Sequence, residues 1–286
     1  MKMNPVYRQE TMVGSRSLRL PLVILIFNSI LALVALLDMY SMISQVRQTA
    51  EIQYSSFLSL YVFATSVEFV MLLFLVPAMT AGSISGERER RTLNLLLTTQ
   101  MTAGDVVIGK LVANLSTILL LIVSSFPILA LVFIYGGITI LDVALLLLCY
   151  VTTAFLTGSI GVFCSAYFRK STIATVASYC ITALLSLGTV VAYELSGVLS
   201  RGSNGFFYLM LLNPGATFRS ALSSQIGTGN EIADFFPWLE QGPVSFVSEH
   251  WMLFGTVVQI ALAVVLVWLA VRKVEPVKRH LSKKDK

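Results

Sequence analysis

The chain has 286 residues, of which 56% are hydrophobic and only 12% charged, and its mean hydropathy is +0.81. A soluble domain carries about twice that charged fraction, so composition excludes a water-soluble globular protein and indicates an integral membrane protein. The net charge of +5 is placed as membrane orientation demands and does not call for nucleic acid. The cysteines Cys149, Cys164 and Cys180 sit inside separate apolar runs and read as small buried residues, not as a disulfide or metal framework.

Residues 1–19 are polar and basic with scattered apolar positions, and Asn4-Pro5 is a helix start with proline at the first helical position. The reading is an amphipathic helix on the inner leaflet, with Val6, Met12, Val13 and Leu18 turned to lipid and Arg8, Arg16 and Arg19 at the headgroups. Gly14 and Ser15 weaken its continuity.

Crossing roughly 30 Å of hydrocarbon takes about 20 helical residues. Six apolar runs meet that length, near residues 20–40, 57–81, 106–135, 140–168, 172–195 and 251–271. The first is too long for a cleaved signal and is expected to be retained. The third and fourth are longer than needed and are expected to tilt or to project beyond the bilayer. The expected fold class is therefore all-α integral membrane, one transmembrane domain over residues 1–286, with both termini cytoplasmic. That orientation puts every one of the 20 basic residues except Arg47, Arg201 and Arg219 on the inside. A cell-membrane, multi-pass location follows.

Between the second and third runs lies G-S-I-S-G-E-R-E-R-R-T-L-N-L-L-L-T-T-Q-M-T-A-G-D-V-V-I-G-K, residues 82–110. Glu87 and Arg91 are four apart with the acid first, which favours an ion pair on a helix. Leu93, Leu96 and Leu97 share one helical face. Gly82 and Gly86 permit a sharp turn out of the second run, and Thr102 and Asp105 can each cap the third. Gly104 and Gly109-Lys110 imitate most of a phosphate-binding loop. Leu111, however, stands where a magnesium-ligating Ser or Thr is needed, and no strand precedes it, so nucleotide binding by this chain is rejected.

Glu68 is the carboxylate set well inside an apolar run. It reads either as a cargo-contacting residue on a central pathway or as a hydrogen-bonded structural carboxyl meeting Asn114 or a Ser/Thr of a neighbouring span. Asp38, Asp142 and Glu194 fall near the outer ends of spans. Pro77 and Pro127 lie inside spans, and Gly158, Gly161 and Ser165 form a small-residue face suited to close helix contact. The external segment 196–250 is too apolar for a solvated linker and is expected to hold at least one short helix dipping into the outer interface. His250 and His280 are isolated, no metal or cofactor site is expected, and no hydrolase constellation is present.

Glu87, Thr92, Leu96, Leu97, Thr99 and the later Gly109-Lys110 fit E-x-x-x-x-T-x-x-x-L-L-x-T-P followed by G-K, a pattern of the permeases of ABC (ATP-binding-cassette) exporters of the second type; Gln100 replaces the final proline. Leu212-Asn213-Pro214 and the basic tail add to the resemblance, which covers nearly the whole chain. It implies a coupling helix near residues 85–99 that docks on a separate ATP-binding-cassette ATPase, which binds ATP in this chain's stead. It further implies a second permease chain, identical or homologous, with cargo moving between the two. On this reading Glu87, Arg88, Arg90, Arg91 and Thr92 form the ATPase-docking set, Leu93, Leu96 and Leu97 pack towards the spans, and Glu68 belongs to the translocation pathway. Few fixed charges in the spans favour a hydrophobic or amphipathic cargo. The alternative is a non-transporting membrane subunit that anchors or regulates a cytoplasmic ATPase.

Overall fold

The computed structural model describes residues 5–49, 54–92, 102–136, 139–199, 205–226, 247 and 250–274, and every regular element among them is helical. In chain order these are α1 (Pro5–Arg16), α2 (Arg19–Thr49), α3 (Tyr54–Thr80), the short α4 (Ser85–Glu89), α5 (Ala103–Gly136) and α6 (Ile140–Tyr167). Then follow α7 (Ser171–Ala183), a π-helical turn (Leu184–Gly188), α8 (Thr189–Leu199), α9 (Gly205–Met210), α10 (Pro214–Ile226) and α11 (Trp251–Val274). Six stretches are long and apolar enough to cross a membrane: α2, α3, α5, α6, the α7–α8 run and α11. This is the expected all-α membrane architecture, and α1 runs unbroken through Gly14 and Ser15.

The bundle is organised around α6. Its face from Leu146 to Ala166 is buried, and α3, α5, α10 and α11 pack on it. Small residues allow this approach: a Cβ on Gly161 would stand 2.0 Å from Thr80 Oγ1, so α3 can lie against α6 only where position 161 has no side chain. Tyr61, Phe69, Leu72 and Val76 of α3, Ile118 and Ile122 of α5 and Tyr150 of α6 make the main apolar core together with Phe218 and Leu222 of α10. The Phe69 and Phe218 rings are stacked with centroids 4.2 Å apart. The external segment thus contributes more than an interfacial helix, since α10 enters the bundle. By contrast α2 buries little beyond Phe27 and Leu31 and exposes Leu25, Leu33 and Leu36, as a lipid-facing span does.

Two local features were not foreseen. The fifth span is interrupted by a π-helical turn, where the carbonyl of Ser186 accepts a bond from Asn213 Nδ2 (2.8 Å) and Thr189 Oγ1 accepts another (2.9 Å). Gln259 of α11 donates to the carbonyls of Leu211 and Asn213, so the Asn213-Pro214 corner ties the fifth span to the sixth. Cys149 and Cys164 are buried as expected, but Cys180 is exposed. It lies on the outward face of α7, where a membrane rather than protein covers an apolar side chain.

Asp142 is more than interfacial. With Thr139 it closes a reciprocal capping box at the start of α6. Gln225 of α10 links that end to α3, donating to the Asp142 carbonyl (2.9 Å) and accepting from Tyr61 Oη (2.6 Å).

Candidate coupling site

The backbone leaves α3 without a sharp break. Ala81 N–H bonds to the Pro77 carbonyl, Ser83 to Thr80, and Gly86 to Gly82, so the chain turns in nearly helical steps into α4. Neither glycine is required for that path. Neither has a left-handed backbone, and a Cβ on Gly82 or Gly86 would meet nothing within 4 Å. The turn out of α3 over residues 81–84 therefore does not depend on the freedom of either glycine. The helical backbone breaks at the end of α4, where Arg91 takes φ 59°. Arg91 N–H bonds to the Arg88 carbonyl (3.1 Å) and Thr92 N–H to the Glu87 carbonyl (2.9 Å), the paired closure of a Schellman motif, with arginine in the place usually taken by glycine.

That termination also removes the expected Glu87–Arg91 pair. A left-handed residue at 91 carries its side chain off the helical face of Glu87, and the ion pairs formed among the described residues are those of Lys110. Lys110 Nζ lies 2.7 Å from Glu10 Oε1 and 3.2 Å from Glu87 Oε1, with the lysine side chain only 6% exposed. Glu87 additionally accepts a short hydrogen bond from Thr92 Oγ1. One buried ammonium therefore joins α1, α4 and α5. Partial burial pushes the Glu87 carboxyl up, but the Thr92 hydroxyl, Lys110 and Arg90 outweigh it and hold the group below the ordinary carboxylate value.

The other face of α4 is fastened to α6 and α7. Ile84 and Ser85 N–H both donate to Ser165 Oγ, at 2.8 and 2.9 Å, so a side chain from α6 satisfies the first donors of α4. Arg88 donates to the carbonyls of Ala166 and Phe168 at the end of α6. Glu89 accepts from Ser171 N–H (2.9 Å) and Ser171 Oγ (2.7 Å), supplying the cap that α7 lacks from its own N-cap residue, Lys170. These bonds hold the Glu89 carboxyl below its usual range. Ile84 anchors the turn below, buried with Val107, Leu111, Val162 and Ala270.

The five residues expected to dock an ATPase thus divide. Glu87, Arg88 and Thr92 bond within the chain, whereas Arg90 and Arg91 are exposed. Leu93, Leu96, Leu97, Thr99 and Gln100 lie outside the described residues, as does the rest of the segment expected to be helical to residue 99. Thr102 and Asp105 do cap α5: Asp105 N–H donates to Thr102 Oγ1 (3.2 Å), and Asp105 Oδ2 accepts from Thr102 N–H (3.1 Å) and hydroxyl (2.7 Å). Glu10, Ser165 and Ser171 were not singled out as members of this site. Their partners are 80 to 100 residues away, and no local spacing signals them.

Glu68 is far from this end of the bundle. It is fully buried and accepts from Ser125 Oγ at 2.5 Å, so of the two expected kinds of partner it meets a serine of the neighbouring third span rather than Asn114. Phe69, the next residue of α3, stacks on Phe218 of α10 in the adjoining core.

The family model described as ABC-2 family transporter protein matches residues 5–274. Comparison with curated proteins gives no match. The matched span runs from the first residue of α1 to the last of α11, so the chain belongs to the ABC-2 transporter family of multi-pass membrane proteins.

Proposed function

We propose that the chain is the membrane permease of an ATP-driven exporter and has no catalysis of its own. A separate ATP-binding-cassette ATPase docks on α4 and the segment after it, two permease chains pair in the cell membrane with their termini cytoplasmic, and an amphipathic cargo passes between them. The observation that supports this best is the way α4 is held. It continues from α3, is capped by Ser165, grips the end of α6 through Arg88, caps α7 through Glu89 and shares Lys110 with α1 and α5. A push on such a segment moves several spans together, which is what coupling requires. Only Arg90 and Arg91 of the charged set are left pointing outward, and these are the groups a partner's carboxylates would meet.

Glu68 enters the reading as a group that cargo reaches only if α10 withdraws from the α3–α6 face. Its cost when unpaired inside a bundle is the reason to expect a role beyond packing.

The test is charge reversal at Arg90 and Arg91 together, in proteoliposomes containing the permease and its ATPase. Cargo-stimulated ATP turnover and export should both be lost while membrane insertion and the ATPase's basal turnover persist. Undiminished coupling in R90E/R91E would rule the docking surface out. ATPase recruitment with no export of any cargo would favour the anchoring subunit instead.

A further inference from the structure

On the α1 side of the bundle, two cavities meet. One, of about 610 Å³, lies between α1, α2, α3 and α5, and its walls include Val23, Ile24, Leu75, Ala78, Leu120 and Leu121. The other, of about 250 Å³, lies beneath α4 and is lined by Glu10, Glu87, Arg90 and Lys110. Glu10, Met79 and Asn114 line both, so the apolar cleft opens directly into the charged one. The larger volume is within the roughly 300–1,000 Å³ of ligand sites. Its walls are aliphatic along α2 and α3, while Glu10, Thr11 and Ser17 on the α1 side and Asn114, Ser116 and Thr117 of α5 add polar groups. The cleft borders α2, whose outward face carries Leu22, Leu25 and Ile26 exposed. The aliphatic part against α2 and α3 offers water few partners, whereas the polar part towards α1 suits a headgroup and its glycerol oxygens.

We propose that this composite cleft binds a zwitterionic phospholipid of the α1-side leaflet, with one acyl chain between α2, α3 and α5 and the headgroup beneath α4. The headgroup follows from charge. Two carboxylates and two cations line the smaller cavity, so its formal charge is zero. Arg90, exposed at the rim, faces a phosphate, while Glu10 and Glu87 face an ammonium. A net anionic headgroup or a free fatty acid would bring its charge against those two carboxylates. The cleft shares Arg90 with the proposed docking surface, but labelling of the permease alone reads it without an ATPase, so failure of the docking reading leaves the lipid reading standing. Its consequence is that a lipid ligand would brace α1 against α4.

The test uses the full chain in vesicles carrying trace phosphatidylethanolamine or phosphatidylglycerol with a photoactivatable group on the acyl chain, and adducts mapped by mass spectrometry. Phosphatidylethanolamine adducts should concentrate on Val23, Ile24 and Leu120, several-fold above those on the lipid-facing Leu33 and Leu36. Ala78→Phe and Thr117→Phe, which fill the cleft from two different helices, should each reduce the cleft adducts several-fold and leave those at Leu33 and Leu36 unchanged. Those unchanged adducts, with a wild-type elution profile, identify a folded variant, and either blocker alone suffices. Adducts spread evenly along α2, adducts indifferent to both blockers, or equal labelling by phosphatidylglycerol would overturn the assignment.

Discussion

Arg91 and Lys110 carry opposite kinds of constraint. A non-glycine residue in the left-handed region costs roughly 1–2 kcal/mol, and Arg91 accepts that cost at φ 59° to close α4. R91G should therefore be neutral or stabilise by about 1 kcal/mol, while R91V, β-branched at the same φ, should destabilise by about 1–2 kcal/mol. Thermal unfolding of the solubilised chain measures both, and an R91V chain as stable as wild type would show that the turn forms otherwise. Lys110 satisfies a different demand, since removing it leaves Glu10 and Glu87 facing each other. Their side chains are 42% and 26% exposed, so water can partly replace the lysine. K110M should accordingly cost about 1–3 kcal/mol, less than the roughly 3–5 kcal/mol of an enclosed pair. Adding E87Q should return part of that loss, and a double variant less stable than K110M would contradict the shared node. The pH dependence has a definite sign. Because the folded chain holds Glu87 below its ordinary value, its contribution is complete above the ordinary carboxylate range and disappears as pH falls through the lower, folded value. The E87Q chain should lack that acid-side loss.

At the scale of elements, α4 has only five residues, too few to hold a helix by its own hydrogen bonds. Its persistence depends on neighbours, and Ser165 is the most exacting of them because two backbone donors share its one oxygen. S165A leaves both donors unsatisfied in a buried place, at about 1–3 kcal/mol. Limited trypsin digestion at Arg88, Arg90 and Arg91 reads the effect locally: cleavage should accelerate in S165A while the spans stay protected. Unchanged cleavage would mean that the α4 donors find other partners. What the sequence could and could not disclose divides along the same line. The spans are legible because a run of about 20 apolar residues has few alternatives, and the Thr102–Asp105 cap is legible because both partners lie within one turn. The Glu87–Arg91 expectation fails because spacing alone does not say where a helix stops, and here it stops two residues too early. The α4–Ser165 and Lys110–Glu10 contacts are illegible because they depend on how α6 and α1 are placed in space. The π-helical turn belongs to the same class, since its partner Asn213 sits 27 residues beyond Ser186.

At the scale of the whole molecule, charge and topology make a joint statement about orientation. An even number of crossings returns the chain to the side on which it began, and the basic residues of α1, of the α4 segment, of Arg169-Lys170 and of the end of α11 gather on that side. The opposite end holds the capping box of Thr139 and Asp142 and the entry of α10. Arg272 over the Trp268 ring, 3.6 Å from its centroid, and Lys273 over Tyr167, at 4.9 Å, place aromatic–cation pairs at the basic end of α6 and α11, the composition of a membrane–water boundary. Single reporter cysteines should divide cleanly across this axis. Cys149 and Cys164 are buried, and Cys180 faces hydrocarbon, so the native thiols should resist a membrane-impermeant maleimide, which reacts in water. In intact cells, Ile140→Cys, whose residue is 89% exposed at the end of α6 away from the basic residues, should label at once. Arg90→Cys should label only after the membrane is permeabilised. Labelling of both from the same side would require an even number of crossings between Arg90 and Ile140, where α5 supplies one, and would overturn the orientation on which an inward-facing docking surface depends.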